Sequence, residues 1–209
     1  MRWWFEDAAT WTYALHPESD ATFRDGASRA EWLADVVARI AAAIPPFAVL
    51  ISLDVSSDSA GEYVVDVSGD RADVAIDYVR SDASVWNVHY DLGLCCEVDR
   101  DGAWEAVELR AARITLFVAL DENGVDEKLI EKREAVAIIF TLNTDLFSAT
   151  RLGSTPDNER VATHNAPRLA AFLRRLEDDV GARFLSVESQ SYREMNRYGF
   201  GRLPPNDKK

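Results

Sequence analysis

The chain has 209 residues, 36 acidic and 23 basic, and carries a formal charge of −13. With 47% apolar and 28% charged residues it has the composition of a globular protein, not of a disordered, collagen-like or membrane-embedded chain. The charge excludes the basic footprint of a nucleic-acid binder and opposes docking on an anionic membrane surface, whereas a basic partner fits it.

The opening residues, Met1-Arg2-Trp3-Trp4-Phe5-Glu6-Asp7, place an acidic pair where a signal peptide would be apolar. Trp3, Trp4 and Trp11 are expected to pack in the core or on an edge strand. Ser28-Arg29-Ala30-Glu31 has the form of a capping box, which predicts a helix over about 29–44. Leu33, Val36, Val37 and Ile40 give its apolar stripe, and Pro45-Pro46 ends it.

Alternation of Phe47, Val49, Ile51, Leu53 and Val55 then predicts a strand. Strands are also expected over 61–68, 72–80, 85–98, 104–109, 113–120 and 135–147, with a short charged helix at 125–133. The longest apolar runs, such as Val136 to Phe140, fall far short of a membrane span. Residues 148–165 read as a loop, in which His164 helps to start a second helix at 167–180. Pro167 near the start and Gly181 past the end punctuate that helix, and 182–188 is a last strand.

The expected fold is therefore α+β, in one domain spanning 1–209. A mainly antiparallel sheet over about 47–147 carries two amphipathic helices on one face. Adjacent Cys95 and Cys96 cannot build a disulfide framework, and on a strand they point to opposite sides. They read as small buried residues of a cytoplasmic protein.

Pairing the strands locates the charge. A hairpin turn at Gly69-Asp70 would set Asp66 opposite Asp73 and Glu62 opposite Asp77, with Val65, Val67, Val74 and Ile76 on the other face. A loop at 57–61 would pair Val55 with Tyr63 and Leu53 with Val65, and bring Asp54 to the acidic side. Asn87, His89 and Asp91 would point the same way, with His89 near Asp77. A three-residue turn at Arg100-Asp101-Gly102 would add Glu97 opposite Glu105, provided Gly93 forms no bulge. One face would then carry Asp54, Glu62, Asp66, Asp73, Asp77, Asp91, Glu97 and Glu105. Residues 54–108 hold fourteen acidic and three basic side chains, a net −11 of the total −13.

Such a face can be no more than a solvated, soluble surface. Like charges opposed in register nevertheless destabilise a sheet, and solubility does not require them. The expected function is non-enzymatic: an acidic protein that neutralises a basic protein partner, such as an immunity or antitoxin-type inhibitor of a toxin. No cofactor, nucleic acid or membrane enters this expectation. The alternative is a metal-dependent hydrolase that uses His89 with Asp73, Asp77 and Asp91, because imidazole and carboxylates together suit Zn, Mn or Fe. No nucleophile elbow, HExxH or phosphate-binding glycine loop is present. The arginines of 192–202, interleaved with aromatics, are expected to pack on the acidic body.

Overall fold

A computed structural model describes residues 9–58, 61–121, 124–149, 158–189 and 194–201. The elements run, in chain order, β1 (Ala9–Leu15), α1 (Ala21–Arg24), α2 (Gly26–Ala43), β2 (Ala48–Ser57) and β3 (Gly61–Ser68). Then follow α3 (Ala72–Ser81), β4 (Val85–Arg100), β5 (Ala103–Val118), and the short strands β6 (Leu120–Asp121) and β7 (Gly124–Val125). The chain continues through α4 (Glu127–Lys132), β8 (Val136–Leu142), α5 (Glu159–Asp178) and β9 (Arg183–Glu188), to the small hairpin β10 (Met195–Asn196) and β11 (Gly199–Phe200). Seven strands form one sheet in the order β3-β2-β4-β5-β8-β1-β9, and every neighbouring pair is antiparallel. The fold is α+β. No helix among the described residues is long and apolar enough to cross a membrane.

One sheet face is the core. Leu53, Tyr90, Ile114, Phe140 and Trp11 stand opposite one another across five strands, and all are fully buried. The Tyr90 hydroxyl donates to the Val37 carbonyl of α2 at 3.3 Å. Phe172 of α5 stacks on Phe47 at 4.5 Å and meets Phe140 edge-on at 5.1 Å.

Several boundaries differ from the sequence expectation, each for a local reason. Helix α2 is capped by Asp25, whose carboxylate accepts from the Ser28 N–H at 2.8 Å. Glu31, the other half of the expected capping box, pairs instead with Arg80 of α3 at 3.1 Å. Helix α5 starts at Glu159 rather than at Pro167. Asn158 fixes this start by donating to the carbonyls of Asp145 and Ser148. Pro167 sits inside the helix, where its missing N–H falls opposite exposed Thr163, so water can serve the freed carbonyl. The two strands expected over 104–120 are one strand, because Ala111 is an extra residue that bulges out of the ladder.

The largest correction is at 72–81. These residues form helix α3, not a strand. Their apolar residues satisfy both periods: Ala72, Val74, Ile76 and Tyr78 alternate, while Ala72, Ala75, Ile76 and Val79 make a helical stripe. Burial selects the second, since Ala75 and Val79 are the fully buried ones. Gly69 does not make a hairpin turn. A Cβ there would lie 1.9 Å from the Leu50 carbonyl oxygen, so the glycine permits the chain to pass close over β2 before it turns into the helix.

Candidate functional site

The face opposite the core is polar. One row across the ladders reads Asp66, Asp54, His89, Thr115, and the next reads Ser68, Ser52, Asp91, Arg113, Thr141. Directly opposite residues point to the same side with Cβ atoms roughly 5 Å apart, so these side chains are neighbours.

Asp54 and Asp66 face each other directly across the β2–β3 ladder, so their carboxyls repel when both are ionised and can hydrogen-bond once one takes a proton. The Asp54 carboxyl is pushed up to about 6, first by partial burial, then by the hydrogen bond and charge of Asp66 and the charge of Asp91. Arg113 opposes the rise. Asp91 is firmly tied: Arg113 Nε donates to one oxygen at 2.7 Å, and the Ser52 hydroxyl reaches the other at 3.4 Å.

His89 is held at both ring nitrogens. Asn87 Nδ2 donates to Nε2 at 2.8 Å, so Nδ1 carries the proton and donates to Thr115 Oγ1 at 2.9 Å. Burial, and after it Arg113, keep the ring below its usual titration range, with Asp91 acting the other way. A neutral imidazole with both nitrogens engaged offers no free lone pair to a metal or a proton donor. The site's available chemistry is therefore that of two opposed carboxyls whose mutual repulsion is relieved by a proton at low pH or by a cation.

The expected acidic residues divide. Asp54 and Asp66 come together as opposed carboxylates, although the register differs: Val55 pairs with Val65 and Leu53 with Val67. This is a slip of two residues from expectation, which preserves the face. Asp91 lies in the neighbouring row. Glu97 keeps the same side of β4, but its carboxylate is engaged by His164 and by Arg168 at 2.8 Å, and these hold it below the usual carboxylate range. Glu105 is on the other side of the sheet. Asp101-Gly102 makes a two-residue turn with φ of 54° and 89°, which sets Glu105 opposite Val98 and leaves it paired with Arg100 at 3.0 Å. Trp104 takes the place opposite Asp99 and stacks on His164 at 3.9 Å.

Asp73 and Asp77 are exposed on α3, where Asp77 pairs with Arg80 at 2.8 Å, so neither is a ladder partner of Asp66, Glu62 or His89. The side chain of Glu62 lies outside the described residues, as do Trp3 and Trp4. The alternative ligand set His89, Asp73, Asp77 and Asp91 is divided between sheet and helix. Among the described residues no group of three or more His, Cys, Asp or Glu side chains is placed to hold a metal ion.

Helix α5 also holds groups that the sequence did not single out. Below the start of β2, the edge of β4 is open. Asn165, fully buried, closes it: its Oδ1 accepts from the Glu97 N–H at 3.0 Å, and its Nδ2 donates to the Glu97 carbonyl at 2.8 Å. His164 thus lies within the helix rather than at its start. Of the C-terminal arginines, Arg197 forks onto Glu177 of α5 at 2.7 and 2.5 Å, while Arg193 and Arg202 lie outside the described residues. Arg113 and Thr115 were legible as the outward members of an alternating strand, as Asn87 was beside His89; Ser52 carried no signal of its own. No family model, curated protein or solved structure matches this chain.

Proposed function

We propose that this protein is a non-enzymatic acidic binding protein that neutralises a basic protein partner, in the manner of an immunity or antitoxin-type inhibitor. It acts in the reducing cytoplasm, where Cys95 and Cys96 stay as free thiols. Helices α2 and α5 cover one face of the sheet, and the partner docks on the other. The supporting observation is the opposed pair Asp54 and Asp66. Two carboxylates opposed in register on a partly exposed face repel one another, and a lysine or arginine from a partner removes that cost. Asp91 extends the acidic row, whereas Asp73 and Asp77 are exposed on α3, which packs against α2. Carboxylates placed this way would occupy the cationic groups that a toxin uses for substrate phosphates.

The test is co-expression with the product of the gene beside its own, reading both growth and complex formation. A complex is expected whose association slows with added salt. Converting Asp54 and Asp66 together to Asn should slow association on the order of tenfold while the circular dichroism spectrum is unchanged. A complex that forms as fast with the double variant overturns the assignment.

A further inference from the structure

Strand β4 is flanked at one level by two irregularities. Its ladder with β2 slips at Ile51, and its ladder with β5 slips at Ala111. Residues three apart on a regular strand face opposite sides, but the extra Ala111 brings Arg110 and Arg113 to the same side. Arg110 stands opposite Gly93 and Arg113 opposite Asp91. Between them lies a hollow of about 590 Å³, lined by Ser52, Asp91, Arg110, Arg113, Thr141 and Asn143. Its size is that of a small-ligand site. Gly93 leaves backbone bare beside it: a Cβ there would come within 2.6 Å of Glu108 Oε1.

The charges are not equivalent. Arg113 is engaged by Asp91, whose second oxygen is taken by Ser52. Glu108 leans across Gly93 and makes no ion pair with Arg110. Arg110 has no hydrogen bond or ion pair among the described residues. Asn143 is fastened to the bulge, with its N–H donating to the Ala111 carbonyl at 2.7 Å. Its side-chain oxygen is buried with no partner among the described residues. A buried acceptor is costly until a donor reaches it. An unpaired guanidinium beside an unsatisfied amide oxygen is complementary to charged oxygens and an adjacent hydroxyl on one small molecule.

We propose that this hollow binds a small hydroxylated oxyanion, a hydroxycarboxylate or a phosphate, with Arg110 taking the charged oxygens and Asn143 accepting from the hydroxyl. The hollow adjoins the acidic row at Asp91, but Arg110 and Asn143, which carry the proposal, do not depend on the role of the Asp54–Asp66 pair. On a chain of net charge −13 it acts against the overall field, so its affinity is modest.

Titration of the ¹⁵N-labelled full chain with glycolate, acetate and inorganic phosphate tests it. Glycolate and phosphate should shift the amides of Gly93, Ala111 and Asn143, and acetate, which lacks the hydroxyl, should bind more weakly. The tighter of glycolate and phosphate names the ligand class. Arg110 is exposed, so Arg110→Gln should fold normally and lose affinity on the order of tenfold. Asn143→Ala should make glycolate and acetate equal. D54N/D66N should shift the same amides, with an affinity equal to or slightly above wild type because two nearby negative charges are gone. Shifts that are absent, spread over the whole chain, or retained in R110Q overturn the site. Acetate binding as tightly as glycolate overturns the part assigned to Asn143.

Discussion

Asp54 on β2 faces Asp66 on β3 directly across the ladder, and partial burial, followed by this neighbouring carboxyl, raises the Asp54 carboxyl. The Asp54 carboxyl titrates near 6 in the fold, against an ordinary value near 3.8. A raised carboxyl stabilises the folded state fully below its unfolded value, and that stability is lost as pH rises through the folded value. The loss therefore falls between about pH 4 and pH 6.

Asp54→Asn should remove this pH dependence, because the amide donates to Asp66 at every pH. At pH 7.5 the variant should be more stable by about 1 kcal/mol, a figure discounted for the pair's partial exposure to solvent. Below pH 4 the gain should vanish. Urea titrations of both proteins at pH 3.8 and pH 7.5 check this, and a variant destabilised at both pH values would contradict it.

Proton release should also be coupled to partner binding. A docking cation lowers the Asp54 carboxyl, so affinity for the basic partner should fall as pH drops from 7 through 6. D54N/D66N should flatten that profile. Calorimetry in two buffers of different ionisation enthalpy would detect the released proton.

Asn165 substitutes for a missing strand at the edge of β4. Asn165→Ala would leave the Glu97 N–H and carbonyl without their partners, at a cost of about 2–4 kcal/mol. Asn165→Asp would keep the acceptor but bury a carboxylate against the Glu97 and Val161 carbonyls, and should cost at least as much as alanine near neutral pH. Denaturation midpoints with unchanged slopes would confirm the order.

Two glycines separate steric from conformational demand. A Cβ at Gly69 would collide with the Leu50 carbonyl, whereas at Gly102 nothing lies within 4 Å but φ is +89°. Gly69→Ala should cost about 3 kcal/mol or more through forced backbone shifts, and Gly102→Ala about 1 kcal/mol through strain alone. Equal costs would show that the chain at Gly69 does not pass close over β2 as described.

The adjacent thiols should differ in reactivity. Burial pushes the Cys96 thiol up to about 12, and only 1% of the residue is exposed. A thiol reagent should therefore modify Cys95 in the native protein and reach Cys96 only on unfolding. Simultaneous modification of both would argue against a closed core at this end of β4.

The sequence by itself determined the α+β class, the amphipathic core of α2, the outward set Asn87, His89 and Asp91, and the concentration of charge between 54 and 108. These follow from periodicity and composition, which are local. Residues 72–81 show the limit of local information, since their pattern fits two periods, and only the packing of Ala75 and Val79 selects the helix. Register is the other limit. A slip of two residues left Asp54 and Asp66 on one face, whereas a turn one residue shorter moved Glu105 to the other. The net charge of −13 was legible from the start. Tertiary structure decided which carboxylates are opposed, which are neutralised by α5, and where two arginines share a hollow, because long-range pairing and bulges set these and no local pattern records them.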